Sequence, residues 1–369
     1  MICVHYLACP LRRHPHDEGG SVFGTLAICY LFFGGVGAGT LFVTSLVDLV
    51  WVREPFGCQV DGPSSQAVEP VRRLLSVAVL VGLCGVVFGI LCLVFDLGRL
   101  DRLETLFLNP SVTFLTLGSF ALAALALIGA FLAIVRFCSL PHVSREVVIA
   151  AEIIAALLAA LVMVYAGMML QSFSSVALWD TPLVPLLFVL SSLSAGCAIL
   201  FVVAFAVEAD TDVRALHVLD NLVRYDAVVI ALEAVGALAF VVLAFGDERA
   251  SAVEAVHLLV SEDGWLATLW WAGFVACGIA VPLLLEAALL FFRNKKHHNT
   301  IAVCALVGVF VLVGALGLRF SLAEAGMHRT LELEAVLTTD TTSVILPNAL
   351  ESGMNSEVTA CILDYEWSR

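Results

Sequence analysis

Eight stretches of mostly apolar residues, each followed by a polar or charged segment, run through this 369-residue protein. A helix that crosses the hydrocarbon core of a bilayer needs about 20 such residues. The stretches meet that length at roughly 22–48, 73–95, 111–135, 147–170, 183–207, 225–245, 265–292 and 300–326. Composition points the same way: 61% of residues are hydrophobic and 14% charged, where soluble domains hold roughly 45–50% and about 25%. The expected fold is therefore an all-α integral membrane protein of eight transmembrane helices, arranged as two four-helix bundles. Residues 1–21 would form a short leading segment, 22–327 the membrane domain and 328–369 an acidic, flexible tail. The bilayer is the first partner, and a net charge of −14 excludes nucleic acid, which requires a basic face.

The first twenty residues lack a basic region followed by an apolar run, so they are not expected to act as a secretory signal. Side-by-side counts of Lys and Arg set the orientation. One side of the membrane collects ten, including Arg136, Arg145 and the "RNKK" run at 293–296, and the other collects eight. The loops 171–182 and 246–264, with only Arg249 between them, fall on the less basic side. Both termini are accordingly expected outside. On that outer side "DLGRLDRLETLFLNP" (96–110) repeats apolar residues at helical spacing, the pattern of a short interfacial helix. The acidic loop 246–264 suggests a similar element.

Several chemistries are absent from the sequence. Eleven cysteines stand singly with no CxxC pair, which leaves neither an iron–sulfur cluster nor a zinc ribbon with usable ligands. None of the nine histidines falls within the eight stretches, and a haem between helices needs axial ligands there. No P-loop, HExxH or GxSxG occurs, so a complete active site of those kinds is not expected.

Four glycines crowd the first span in "YLFFGGVGAGT" (30–40). The spacing is not that of a dinucleotide loop, and no strand precedes it. Gly35 and Gly39, and one residue back Gly34 and Ala38, make small-xxx-small pairs that let a helix or a flat ligand approach the backbone. Ionisable residues within spans are costly and mark function. Glu233 lies midway along the sixth span, too deep to reach the interface. Glu286 follows Pro282 in the seventh, where a kink would free backbone carbonyls. Glu152 sits near one end of the fourth, and either it and Glu286 pair with loop arginines or they join Glu233 in a proton relay. Asp48 is expected to pair with an arginine. Arg319 keeps its charge, so it either snorkels outward or pairs with an acid such as Asp96 or Glu324. Tyr30 and Tyr165 occupy the outer halves of the first and fourth spans. Each is an interfacial belt residue or a buried hydroxyl in need of a partner.

Taken in order, "YLFFGGVGAGT", "LVFDLGRLDRLETLFLNPSV", "VYAGMMLQSFSSVALWDTPLVPLLFVLSSLSAG", "IALEAVGAL", "GIAVPLLLE" and "LGLRFSLAEAG" resemble the NrfD-like, polysulfide reductase membrane subunits over roughly residues 20–327. The resemblance implies a haem-free anchor subunit in a bacterial cytoplasmic membrane that binds menaquinone or ubiquinone. It implies an outer-face partner, a four-cluster ferredoxin-like iron–sulfur subunit, with a molybdopterin catalytic subunit or a multihaem cytochrome c beyond it. By position Tyr165 matches the family's pocket tyrosine, and Tyr30 stands where some members carry a histidine. Gly35 and Gly39 would shape the pocket wall, while Asp96 and Arg99 match residues at the outer rim. Glu233, Glu286, Glu152 and Arg319 are the relay candidates. The sequence departs from the pattern at Ala166, where threonine is common. The alternatives are a structural anchor without bound quinone and a secondary transporter or permease, though the latter would require inverted repeats with paired broken helices, and Pro282 has no counterpart in the third span.

Overall fold

The computed structural model describes residues 25–52, 69–97, 114–138, 143–173, 176–207, 213–247, 249–261, 264–291 and 297–327. The leading segment, the 96–110 element beyond Leu97 (with Arg99) and the acidic tail lie outside these residues. Among the described residues nine longer helices follow in sequence order, besides a π-helical turn Asp48–Val52 that continues α1 and a 3-10 turn Ala177–Trp179: α1 Thr25–Val47, α2 Glu69–Leu97, α3 Phe114–Cys138, α4 Arg145–Gln171, α5 Leu183–Ala206, α6 Val213–Phe245, α7 Ala250–Val260, the composite α8 and α9 His297–Met327. α8 runs from Trp265–Thr268 through a π-helical Leu269–Ala280 into an α-helical Val281–Phe291. No strand occurs among the described residues, and eight of the helices are long and apolar enough to cross a membrane. The protein is a multi-pass integral membrane protein.

Alternating passes put the start of α1, the end of α4 and the end of α9 at one end of the molecule, called here the Trp179 end. The opposite pole is the Arg136 end. In the most apolar windows of α1 and α5, 72% of residues are buried, against 28% in α8, so α1 and α5 form the centre and α8 faces mostly lipid. α1 packs on α2, α4 and α5, while α5 also packs on α6 and α9. The expected partition into two bundles is thus bridged along a continuous α1–α5 seam.

The glycines of α1 account for that seam. A Cβ on Gly37 would lie 2.5 Å from the Val86 nitrogen and 2.8 Å from the Gly82 carbonyl of α2. On the opposite face of α1, two residues away in either direction, a Cβ on Gly39 would collide with the Ser192 carbonyl of α5, and one on Gly35 would lie 2.6 Å from the Arg319 guanidinium. The obstacle at Gly37 and Gly39 is backbone, which cannot swing aside. Each glycine costs a helix about 1 kcal/mol relative to alanine. That cost is offset by dispersion contacts between backbones that no larger residue would permit.

Pro282 explains the wide stretch of α8. Proline lacks an N–H and its ring collides with the carbonyl four residues back. The helix meets this by opening beforehand into i→i−5 bonds, of which Val281 N–H to Ala276 O is the last. The 246–264 loop does hold a helix, α7, whose Ala252, Val256 and Leu259 are buried. Trp271 of α8 donates to the Val260 carbonyl at 3.0 Å and holds its end.

Candidate functional site

At the Trp179 end two tyrosines converge on α3. The Tyr165 ring lies where a side chain on Gly118 would be, so only glycine fits beneath it. Leu122, one turn further along α3, borders the same space beside Gly34 as the Tyr30 ring. Neither tyrosine is an interfacial belt residue, for they are 2% and 3% exposed. The Tyr30 hydroxyl is buried with no hydrogen-bond partner. The Tyr165 hydroxyl has only the Met169 sulfur, at 3.9 Å. Buried hydroxyls are almost always bonded, so two under-used ones at one level mark a place for an acceptor. Trp179 anchors this end, donating to the Leu322 carbonyl of α9 at 2.8 Å against Gly326. Asp96 is exposed at the end of α2.

Outside the membrane at this end, Arg249 bridges Asp180 and Asp247 at 3.0 Å each. Hydrogen bonds from Arg249 hold the Asp247 carboxyl below its ordinary value, and the same bonds raise Arg249. The stabilisation from Asp247 is thus complete above the ordinary carboxylate range and lost as pH falls through the lowered value.

About 12 Å inside the end of α9, Arg319 is completely buried. Its fork donates to the Leu31 carbonyl (3.2 Å), the Ala315 carbonyl (2.8 Å), Ser191 Oγ (3.2 Å) and Ser192 Oγ (2.8 Å), and Phe188 lies 5.3 Å beneath it. It neither snorkels nor reaches Asp96 or Glu324. Glu233 is the carboxylate that faces it, hydrogen-bonded to the same Ser191. Gly35 leaves the room this guanidinium occupies, which is why the glycine cluster and the arginine belong to one arrangement.

Two further clusters lie toward the Arg136 end. Arg136 of α3 bonds Asp48 at 2.8 Å and Glu152 at 2.9 Å, all three buried, and also donates to the Leu75 carbonyl at 3.3 Å. Four helices are tied by one side chain. The expected arginine partner of Asp48 and Glu152 is therefore found inside the protein, not in a loop. Glu286 of α8 instead meets Asp226 of α6, both of them 0% exposed. Asp226 lies two turns from Glu233 on the same face of α6.

Among the sequence-derived candidates, the structure thus sets Tyr30 and Tyr165 at the α3 face of one end and brings Glu233 to Arg319. It sets Glu152 on Arg136, Gly35 beside Arg319, and Gly39 against the α5 backbone. Asp226, Arg136 and the Ser191–Ser192 pair were not anticipated. Their one visible signal was charge or hydroxyl at helical spacing: Asp226 and Glu233 are seven residues apart. One expectation is corrected. His217 does fall within a membrane-length helix, because α6 starts twelve residues before the predicted span, though its side chain is exposed.

Comparison with known proteins follows from this architecture. Residues 14–330 match the family model described as polysulphide reductase, NrfD. The sequence is 27% identical over 318 residues to the C subunit of polysulfide reductase from Wolinella succinogenes, an overlap of 80% of this protein and 92% of that one. It is 27% identical over 322 residues to protein NrfD of Escherichia coli, with the same coverages. The matched region takes in all eight spanning helices, and on that ground the protein belongs to the NrfD polysulphide reductase family.

Proposed function

We propose that this protein is a haem-free membrane anchor of a respiratory oxidoreductase, which exchanges electrons between a membrane quinone and an iron–sulfur partner at the Trp179 end. The observation that carries the reading is the buried, partnerless hydroxyl of Tyr30, at the same end of the helices as the buried, weakly held hydroxyl of Tyr165. A flat, apolar ring with two carbonyl oxygens suits such a place. When bound, the quinone supplies the electron-carrying group. The protein's own residues do the rest. Tyr30 and Tyr165 donate to the carbonyl oxygens, Gly118 keeps the Tyr165 ring in register, and the packed helices exclude water. Menaquinone and ubiquinone share this chemistry.

In this reading the Trp179 end faces outward in a bacterial cytoplasmic membrane, with both termini outside. The 176–182 turn and α7, held together by Arg249, provide a surface for a four-cluster ferredoxin-like subunit. A molybdopterin subunit or multihaem cytochrome c would dock beyond it. The relatives named above are a subunit of polysulfide reductase and an NrfD protein, which supports the anchor role.

The test uses the purified protein and its intact complex. Tyr30→Phe and Tyr165→Phe are each expected to weaken quinone binding by about 2–12-fold, one hydrogen bond's worth. The stability of the Tyr30→Phe variant should stay at or above wild type, because a partnerless buried hydroxyl is removed. Unchanged quinone affinity in both variants would leave a structural anchor and reject the pocket.

Protons enter the same reading through Glu233, Glu286 and Glu152. Arg319, Ser191 and Glu233 stand between the tyrosines and the deeper acids, in the order a relay would use. With Glu233→Gln, quinone binding should persist while proton uptake linked to turnover is lost. Unaltered proton uptake would remove Glu233 from any relay.

A further inference from the structure

We propose that Cys29 and Cys92 form a reversible disulfide, a thiol pair that latches α1 to α2 at the Trp179 end. The pairing follows from how the two helices meet. They run antiparallel: Gly37 meets Val86, and Gly34 meets Gly89. Their backbones touch there, since a Cβ on Gly89 would lie 2.9 Å from the Gly34 nitrogen and 3.2 Å from its Cα. Beside that contact the Phe33 and Phe88 rings stand edge to face, with centroids 4.6 Å apart. One turn nearer the helix ends, four residues before Phe33 and four after Phe88, come Cys29 and Cys92. A step of four keeps each on the face that carries its phenylalanine. Cys92 is also three residues past Gly89 and seven past Gly85, on the stripe of α2 that faces α1. Cys29 is accordingly the charged neighbour that acts on Cys92. A disulfide needs Cα atoms within about 7 Å, a spacing that helices reach where their backbones touch.

The two thiols differ in access. Cys29 is partly exposed near the start of α1, Cys92 is buried, and both are free. A single buried cysteine acts as a small apolar residue. Two at one level of adjacent helices, one open and one shielded, make an attacking and a resolving thiol. The step is exchange with a low-molecular-weight disulfide, R–S–S–R. The Cys29 thiolate attacks one sulfur of that disulfide, forms a mixed disulfide and releases one R–S⁻. The Cys92 thiolate then attacks the Cys29 sulfur, closes the Cys29–Cys92 bond and releases the second R–S⁻. The two thiol protons pass to the two leaving thiolates. One S–S bond breaks and one forms, so the cysteines lose two electrons and the incoming disulfide gains them. The biological setting rests on the reading that turns the Trp179 end outward, toward the compartment where disulfides persist. Cys29 directly precedes Tyr30, so the closed bond fixes the turn of α1 that presents this tyrosine.

The experiment takes the full-length protein in lipid nanodiscs, first reduced and then equilibrated with oxidised glutathione, and maps its cysteines by peptide mass spectrometry after alkylation. Wild type should yield a linked pair of peptides, Cys29 to Cys92, that dithiothreitol separates. Cys92→Ser should instead carry glutathione on Cys29, and Cys29→Ser should leave Cys92 unmodified. Cys84→Ser, on the exposed side of α2, should link as wild type does. Hydrogen exchange of the backbone around Tyr30 should slow about tenfold in the linked protein. Glutathione on Cys29 of wild type without the link overturns the proposal. So does a link from Cys29 or Cys92 to any other cysteine, or a Cys29–Cys92 link that leaves exchange around Tyr30 unchanged. None of these readouts involves quinone, so the quinone reading stands or falls separately.

Discussion

Arg319→Met is expected to lower the unfolding free energy by about 3–5 kcal/mol, the loss typical when one partner of a buried charge pair is removed. Three effects combine. Glu233 is left with no cation facing it, so it either bears an uncompensated buried charge or takes up a proton. Ser191 and Ser192 lose the donor they accept from, and the Leu31 carbonyl of α1 is released from α9. Arg319→Lys should restore only part, because a single ammonium cannot span the positions that a planar fork reaches together. Adding Glu233→Gln to Arg319→Met should recover about 0.5–3 kcal/mol, as coupled neighbours do. Denaturant unfolding of the four proteins in one detergent measures all of this. A single-variant loss under about 1 kcal/mol would mean that the network holds little of the fold.

Arg136 predicts an asymmetry that is easier still to read. Its cluster sets two acids against one cation. Arg136→Gln leaves Asp48 and Glu152 facing each other in a buried space, and about 3–5 kcal/mol should be lost. Asp48→Asn or Glu152→Gln leaves a balanced pair and should change stability by no more than about 1 kcal/mol. If loss of either acid proved as damaging as loss of the arginine, the three residues would not share one charge balance. The same asymmetry bears on the relay. Glu152 can change its charge while Asp48 keeps Arg136 paired.

The eight spans were legible because apolar length is a one-dimensional property, as were the depths of Glu233 and Tyr165. The helix in the 246–264 loop was legible in outline. Partnerships were not. Arg136 ends a span, where an arginine looks like a topological signal, and only the packing of α1 and α4 around it makes it a buried ion-pair residue. Asp226 falls at the edge of the sixth apolar run, and only the extension of α6 back to Val213 places it inward. Pro282 announced a disturbance in the seventh span, but not that the disturbance would be a twelve-residue π stretch before it. Hydrogen-bond geometry between helices far apart in sequence, such as that of Arg319 with Leu31, leaves no periodic trace. Tyr30 and Tyr165 were legible by position, while the missing partner of the buried Tyr30 hydroxyl was not.

The place of Arg319 also has a consequence for biogenesis. Helices enter the membrane in the order of synthesis and associate afterward. α1 emerges before the other described spans, with the hydroxyls of Thr40 and Thr44 already bonded to its own backbone, so these two can wait in lipid. Glu233 on α6 has no such provision, and its cation arrives only on the final helix. The core therefore cannot close until the last span is inserted, which makes α9 the keystone of assembly. A nascent polypeptide halted before it should remain open to membrane quality-control proteases.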